Sequence, residues 1–141
     1  MRILVIDDYR PHGESLAELL EARGHEASYA RNYLEARRLL DLQRFDCAFL
    51  DFDMPEMTGP ALAGKLSESF PALRAVIVSA RTPESLGLAA GSPFAFLQKP
   101  VSLCALTSCL DQVQQGSSIV LRSLFPLAPY RGGPPGMSPP I

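Results

Sequence analysis

The sequence predicts an α/β protein, a doubly wound five-stranded parallel sheet with helices on both faces, and three observations carry that prediction. Short apolar runs alternate with helix-period segments five times between residues 2 and 115. Such alternation is the signature of a parallel sheet covered by helices on both faces. The apolar runs also end on chemically useful polar residues: Asp7 and Asp8, Asp51, Ser79, and Lys99. Right-handed crossovers bring the C-terminal ends of parallel strands to one edge, where such sheets bind ligands. Finally, the composition changes after residue 115, which sets the limit of the repeating pattern.

The elements follow in order. RILVI at 2–6 is continuously apolar apart from its first residue and reads as a buried parallel strand. Pro11 to Arg23 places Leu16, Leu19 and Leu20 at helical spacing, with Pro11 suited to a first helical turn and Gly24 to a C-terminal cap. His25 to Ala30 is a weaker strand. Asn32 followed by Glu35 resembles a capping box and opens a helix to Leu42 that should bury Leu34, Leu39 and Leu40. Phe45 to Leu50 is a strand ending at Asp51. The loop DFDMPEMTG leads to a helix from about Pro60 to Ser69. Ala75 to Val78 is a strand ending at Ser79. A short helix is expected over Pro83–Ala90, weakened by Gly87. Phe94 to Leu97 forms the fifth strand, ending near Lys99-Pro100. Ser102 caps a last helix to Gln115.

Composition narrows the function classes. At 141 residues the chain suits one domain with a real core. Its net charge of −2, with acids and bases mixed, lacks the basic stripe of a nucleic-acid-binding surface. No apolar run approaches the roughly 20 residues of a membrane helix. No signal-peptide pattern precedes the first strand, so a cytoplasmic protein is expected. Three cysteines, an odd number with no metal-ligand spacing, read as small buried hydrophobes. Residues 116–141 hold six of the 13 prolines and four of the ten glycines, and RGGPPGMSPPI reads as a flexible tail. The more apolar SIVLRSLFPLAPY before it is expected to pack on the domain or on a partner. The tail is too short for a DNA-binding effector, which points to output by protein contact. Met1 against the first strand reads as a natural start.

The rim residues define a chemistry. Three carboxylates converging on one point repel one another and need a positive charge between them. Oxygen-only ligands suit a hard cation, and magnesium takes one or two carboxylates plus waters and phosphate oxygens. Lys99 adds a mobile charge and Ser79 a hydroxyl donor. A carboxylate nucleophile in these surroundings is equipped to form an aspartyl phosphate.

These residues carry a resemblance. IDD at 6–8, LDFDMPEMTG at 50–59, SA at 79–80 and FLQKP at 96–100 are similar to the receiver domain of bacterial two-component response regulators. The likeness runs from about residue 2 to residue 115. The motifs are individually weak, but their order at strand ends is specific, with 28 residues from Asp51 to Ser79 and 20 from Ser79 to Lys99. The resemblance implies a receiver domain over 1–115, with sheet order 2-1-3-4-5 and a switch point between the first and third strands.

It also implies roles. Asp51 is the phosphoacceptor, charged by a histidine kinase or phosphotransfer protein. Asp8 is the direct ligand of Mg2+, with Mn2+ as a substitute, and Asp7 acts through water. Asp51 itself and the backbone carbonyl of Asp53 complete the protein ligands. Ser79 is the switch hydroxyl, Lys99 pairs with the phosphoryl group, and Phe96 is the aromatic that swings between two rotamers. The Lys99-Pro100 peptide is cis. Signalling then proceeds through a downstream target protein docked on the face of the fourth helix, fifth strand and fifth helix. A homodimer is allowed, while direct nucleic-acid or membrane contact is not expected. The only catalysis implied is the chain's own phosphorylation and dephosphorylation.

Some features depart from the pattern. Asp53 adds a fourth carboxylate near the acceptor and either pairs with Arg81 or faces solvent. The segment GSPFA at 91–95 is one residue longer than the usual spacing. The helix before it, poor in charge, either stands loosely exposed or joins Leu86, Leu88, Phe94 and the last helix in an apolar docking surface. His12 and His25 read as solvated loop residues. Phe96 is either core or switch. Two rival functions share some of the residues. Asp51-Phe-Asp53 imitates the nucleophile motif of haloacid-dehalogenase-like phosphatases, but that family places its acidic metal-binding pair last in the chain. A degenerate receiver would bind partners without phosphorylation, although all key site residues are present here. A flavodoxin-like cofactor site is disfavoured by the two acids in DDYRPHG.

Overall fold

The structure is a computed structural model that describes residues 1–87 and 95–115. Its elements are β1 (Arg2–Ile6), α1 (Arg10–Ala22), β2 (Glu26–Ala30), α2 (Tyr33–Leu42), β3 (Cys47–Asp51), α3 (Gly59–Ser69), β4 (Arg74–Ser79), β5 (Ala95–Gln98) and α4 (Leu103–Gln115). The five strands form one parallel sheet in the order β2-β1-β3-β4-β5. The predicted sheet and its order are therefore present. The chain first steps from β1 to β2, then crosses back to β3 on the other side of β1. The topological switch point falls between β1 and β3. By compactness the chain divides into two units, Met1–Val78 and the part beginning at Ser79.

In the first unit the core lies on β1 and β3. Ile3, Leu4, Val5 and Ile6 are all buried, as are Cys47, Ala48, Phe49 and Leu50. Side chains alternate between the two faces of a strand, so a continuous buried run requires cover on both faces. β2 is an edge strand, and its weaker pattern reflects this: only Ala30 is fully buried. α1 carries Pro11 in its first turn and ends before Gly24, whose φ of +92° suits glycine.

At the start of α2, Asn32 Oδ1 accepts the Glu35 N–H at 2.9 Å, as the sequence suggests. The return bond of the box is displaced by one residue. The Glu35 carboxylate accepts the Arg31 N–H at 3.0 Å and also pairs with the Arg31 guanidinium. The expected burial of Leu34 is wrong: it is 57% exposed, while Ala36 and Leu40 are buried and Leu39 is half-buried. Ala36 and Leu40 lie four residues apart on one face, and Leu34 points well away from it. Beside this face Tyr33 and Arg37 make cation–π contacts with Lys65 and Phe70, at 4.4 Å and 5.3 Å, which tie α2 to α3 and the residue that follows it.

In the second unit Leu106, Cys109, Leu110 and Val113 form a buried stripe on α4 at spacings of three and four. Ser102 Oγ accepts the Ala105 N–H at 3.1 Å, the predicted cap. The expected helix at Pro83–Ala90 does not form over Pro83–Gly87, which is a hydrogen-bonded turn. There Leu86 N–H reaches Thr82 and Pro83 carbonyls, and Gly87 has φ +77°. A positive φ ends a right-handed helix. The readings placed on Leu88, on GSPFA through Phe94 and on residues 116–141 lie outside the described residues.

Cys47 and Cys109 are buried, and burial pushes the Cys109 thiol up to about 12. Cys104 is exposed, which corrects the expectation of three buried thiols. His12 is exposed but lies within α1, edge-on to Tyr9 at 4.6 Å. His25 is half-buried and accepts a hydrogen bond from the Met1 ammonium at 3.0 Å through Nδ1, so it is not a solvated loop residue. Burial first, and the Met1 charge second, lower its pKa. Among the described residues, no helix is long and apolar enough to cross a membrane.

Candidate metal centre

Strand register builds the acidic centre. Ile6 of β1 pairs with Leu50 of β3, so Asp7 and Asp51 each stand one residue beyond a matched pair. Asp7, Asp8 and Asp51 each offer a carboxylate oxygen, and these oxygens lie within 4.8 Å of one another. Asp7 is buried, Asp51 is half-buried and Asp8 is exposed. Two like charges at such a distance repel by about 3 kcal/mol for an effective dielectric of about 20. A hard cation relieves this repulsion. Metal–oxygen distances of about 2.1 Å give ligand oxygens roughly 3–4 Å apart, a spacing this donor set accommodates. The residues present therefore fit a magnesium-type ion completed by water.

The turn after β1 is held by its own backbone. Asp7 Oδ1 accepts the Tyr9 N–H at 2.9 Å, and Asp7 N–H donates to the Ala30 carbonyl at 3.1 Å. α1 starts immediately afterwards, with its positive end near the acids. The turn after β3 closes on itself. Phe52 N–H donates to the Val78 carbonyl at 2.9 Å and Gly59 N–H to the Phe52 carbonyl at 2.8 Å, with an antiparallel bridge between Asp53 and Thr58. Thr58 Oγ1 caps α3 through the Ala61 N–H at 3.3 Å. Asp53 is exposed in this loop, and its carboxylate is outside the three-acid cluster.

The other predicted residues belong to the second unit. Ser79 is buried, and its Oγ accepts the Arg81 N–H at 3.1 Å. Lys99 N–H donates to the Ser79 carbonyl at 2.7 Å, which joins the end of β4 to the residue following β5. Lys99 is half-buried, and the Lys99-Pro100 peptide is cis, as expected. Phe96 is buried among the core residues of β5.

Sequence reasoning missed three residues around the centre. Tyr29 on β2 donates its hydroxyl to the Asp7 carbonyl at 2.5 Å. Gly13 in α1 lies against the Tyr29 ring, where a Cβ would stand 2.1 Å from Cε1. Gly59 lets α3 approach β3, since a Cβ there would stand 2.9 Å from the Asp51 carbonyl oxygen and 3.1 Å from Phe52 Cα. The available signal was the glycines themselves. A glycine inside a helix costs about 1 kcal/mol relative to alanine, so its presence points to close packing.

The comparisons with known proteins agree with this geometry. Residues 3–111 match the family described as the response regulator receiver domain, and the match runs through both units. A response regulator receiver protein from Anaeromyxobacter sp. is 36% identical over 104 residues, which cover 72% of this chain and 44% of that protein. The response regulator MprA from Mycobacterium avium is 34% identical over 106 residues, covering 73% of this chain and 46% of MprA. The chain thus spans under half the length of these curated relatives. Among solved structures, the response regulator TrrA from Thermotoga maritima, in complex with Mg2+ and BeF, is similar with a TM-score of 0.69 and 25% identity. The likeness covers 79% of this chain and 97% of that one. A CheY-like receiver domain from Methylobacillus flagellatus is similar with a TM-score of 0.66 and 27% identity, covering 80% and 98%. On these grounds the chain belongs to the response regulator receiver domain family.

Proposed function

We propose that this chain is a phosphorylation-dependent switch of a two-component system, with Asp51 as its phosphoacceptor. The carrying observation is the convergence of Asp7, Asp8 and Asp51, with carboxylate oxygens within 4.8 Å of one another. Asp8, Asp51 and the Asp53 carbonyl, with Asp7 through water, would hold Mg2+, which would supply charge neutralisation for an incoming phosphoryl group. The TrrA complex with Mg2+ and BeF supports this reading.

An Asp51 carboxylate oxygen attacks phosphorus. The new bond is Asp51 O–P, and the bond broken is P–N of a phosphohistidine or P–O of a small phosphodonor such as acetyl phosphate, whose acetate leaves with the electron pair. Lys99 balances the charge of the resulting aspartyl phosphate and the Ser79 hydroxyl donates to it. Formation of that hydrogen bond with Ser79, together with a preference of the Phe96 ring for its buried rotamer over an outward one, shifts an equilibrium between two states. Hydrolysis of the acyl phosphate resets the switch, and no other turnover is assigned to the chain.

The donor is a histidine kinase or phosphotransfer protein. Output goes to a target protein through the face expected of the fourth helix, fifth strand and fifth helix, of which the described residues supply β5 and α4, and a homodimer is one form this contact takes. The receiver occupies 1–115, and the setting is the cytoplasm. The test is intact-mass measurement after incubation with acetyl phosphate. One phosphoryl adduct should appear with Mg2+, vanish with EDTA and be absent in Asp51→Ala. A wild-type chain that stays unmodified under all conditions sinks the proposal, and sustained hydrolysis of phosphate esters would replace it with a phosphatase.

A further inference from the structure

Asp7 is gripped from β2 through both of its backbone polar groups, the N–H of the Ile6–Asp7 peptide and the carbonyl of the Asp7–Asp8 peptide. The parallel ladder between β1 and β2 ends at the pair Ile6 and Ala30. Beyond it the Asp7 N–H still reaches the Ala30 carbonyl at 3.1 Å. The Asp7 carbonyl lies past the ladder, and the Tyr29 hydroxyl takes it at 2.5 Å. This carbonyl belongs to the peptide that joins the two acids. Its orientation sets the direction in which Asp8 leaves β1, and so the relation between the two carboxylates.

The Tyr29 ring is itself fixed. Gly13 leaves room for it, since a Cβ at that position would fall 2.1 Å from Cε1 and 2.5 Å from Cδ1. The Arg10 guanidinium stands 5.3 Å from the ring centroid and is tethered to Glu14 by an ion pair at 2.9 Å.

We infer that Tyr29 is a positioning residue for the divalent-cation site, acting on Asp8 through the Asp7 carbonyl, with Gly13 as the space that admits it. This rests on the proposed metal role of Asp7 and Asp8. Outer groups that orient metal ligands typically change metal affinity about tenfold or more when removed.

The experiment uses the full chain as wild type, Tyr29→Phe, Gly13→Ala, the double variant and Asp8→Asn. Mg2+ affinity is measured calorimetrically, and phosphorylation by acetyl phosphate is followed against Mg2+ concentration. Thermal melting in EDTA confirms folding. Tyr29→Phe should weaken Mg2+ binding about tenfold and reach the wild-type extent of phosphorylation once Mg2+ is raised. Gly13→Ala should weaken binding in the same direction, although alanine favours the helix. The double variant should be no weaker than the weaker single one. Asp8→Asn should not be rescued by added metal.

Wild-type Mg2+ affinity in folded Tyr29→Phe and Gly13→Ala overturns the inference and leaves the metal site standing. So does a phosphorylation defect in Tyr29→Phe that excess Mg2+ fails to restore. If the wild type binds no Mg2+, the metal reading falls and the inference falls with it. Should Tyr29→Phe fail to fold, Gly13→Ala decides alone.

Discussion

Asp53 stands exposed in the loop that follows the acceptor strand, with its backbone bridged to Thr58. Its carboxylate adds a fourth negative charge in the neighbourhood of the proposed phosphoacceptor. With Asp51 phosphorylated, repulsion from Asp53 would disfavour the phosphorylated form, and its carboxylate would also orient attacking water. Both effects act in the same direction, so Asp53→Asn should slow loss of the phosphoryl group about twofold to fivefold, the range expected of an exposed charge. The extent of phosphorylation should remain that of the wild type. Decay of the phosphorylated form, followed by intact mass over time, checks this. An unchanged decay rate removes Asp53 from control of the lifetime.

At this scale the meeting of Asp7, Asp8 and Asp51 was legible in the sequence, because carboxylates at the ends of apolar runs predict a shared rim, whereas the role given to Phe96 came from the family resemblance. Tyr29 was not legible, because its role depends on a contact with a carbonyl of a different strand. No pattern within β2 announces such a contact.

At the scale of elements, Gly59 determines how closely α3 can approach the end of β3. The neighbours an added Cβ would meet are backbone atoms of Asp51 and Phe52, with Ile77 Cδ1 at 3.3 Å, and backbone cannot swing aside as a flexible side chain does. Gly59→Ala should cost about 1–3 kcal/mol, as overpacking does. It should also displace the Asp51 loop and slow phosphorylation. Denaturant midpoints and the acetyl phosphate rate measure the two effects. A variant as stable and as fast as the wild type contradicts this account of the glycine.

The strands β1 and β3 were readable because burial on both faces leaves a continuous apolar run. The helix faces were less so. Of the four leucines on α2 three were expected to face the core, but Ala36 and Leu40 occupy it and Leu34 is left outside. Small residues at a close helix–sheet contact carry no strong hydropathy signal, so pattern reading favoured the larger side chains. The expected helix at Pro83–Ala90 failed over Pro83–Gly87 for a local reason, the positive φ of Gly87. Its weakening effect was visible in the sequence, but its power to replace the helix with a turn was not.

At the scale of the whole molecule, the order of strands explains why acids so far apart in sequence meet. The chain crosses over β1 between β2 and β3, which places the ends of β1 and β3 side by side. The match to receiver domains over residues 3–111 assigns the family, and the acidic centre is where Asp7, Asp8 and Asp51 converge in this chain. The central claim is that Asp51, and no neighbouring acid, receives the phosphoryl group. The most direct measurement is reductive trapping: phosphorylate with acetyl phosphate and Mg2+, reduce the acyl phosphate with borohydride, and locate the altered residue by peptide mass spectrometry. The account predicts conversion of Asp51 to homoserine, with Asp7, Asp8 and Asp53 intact. Conversion at one of those three positions, or none at Asp51 in phosphorylated protein, would contradict it.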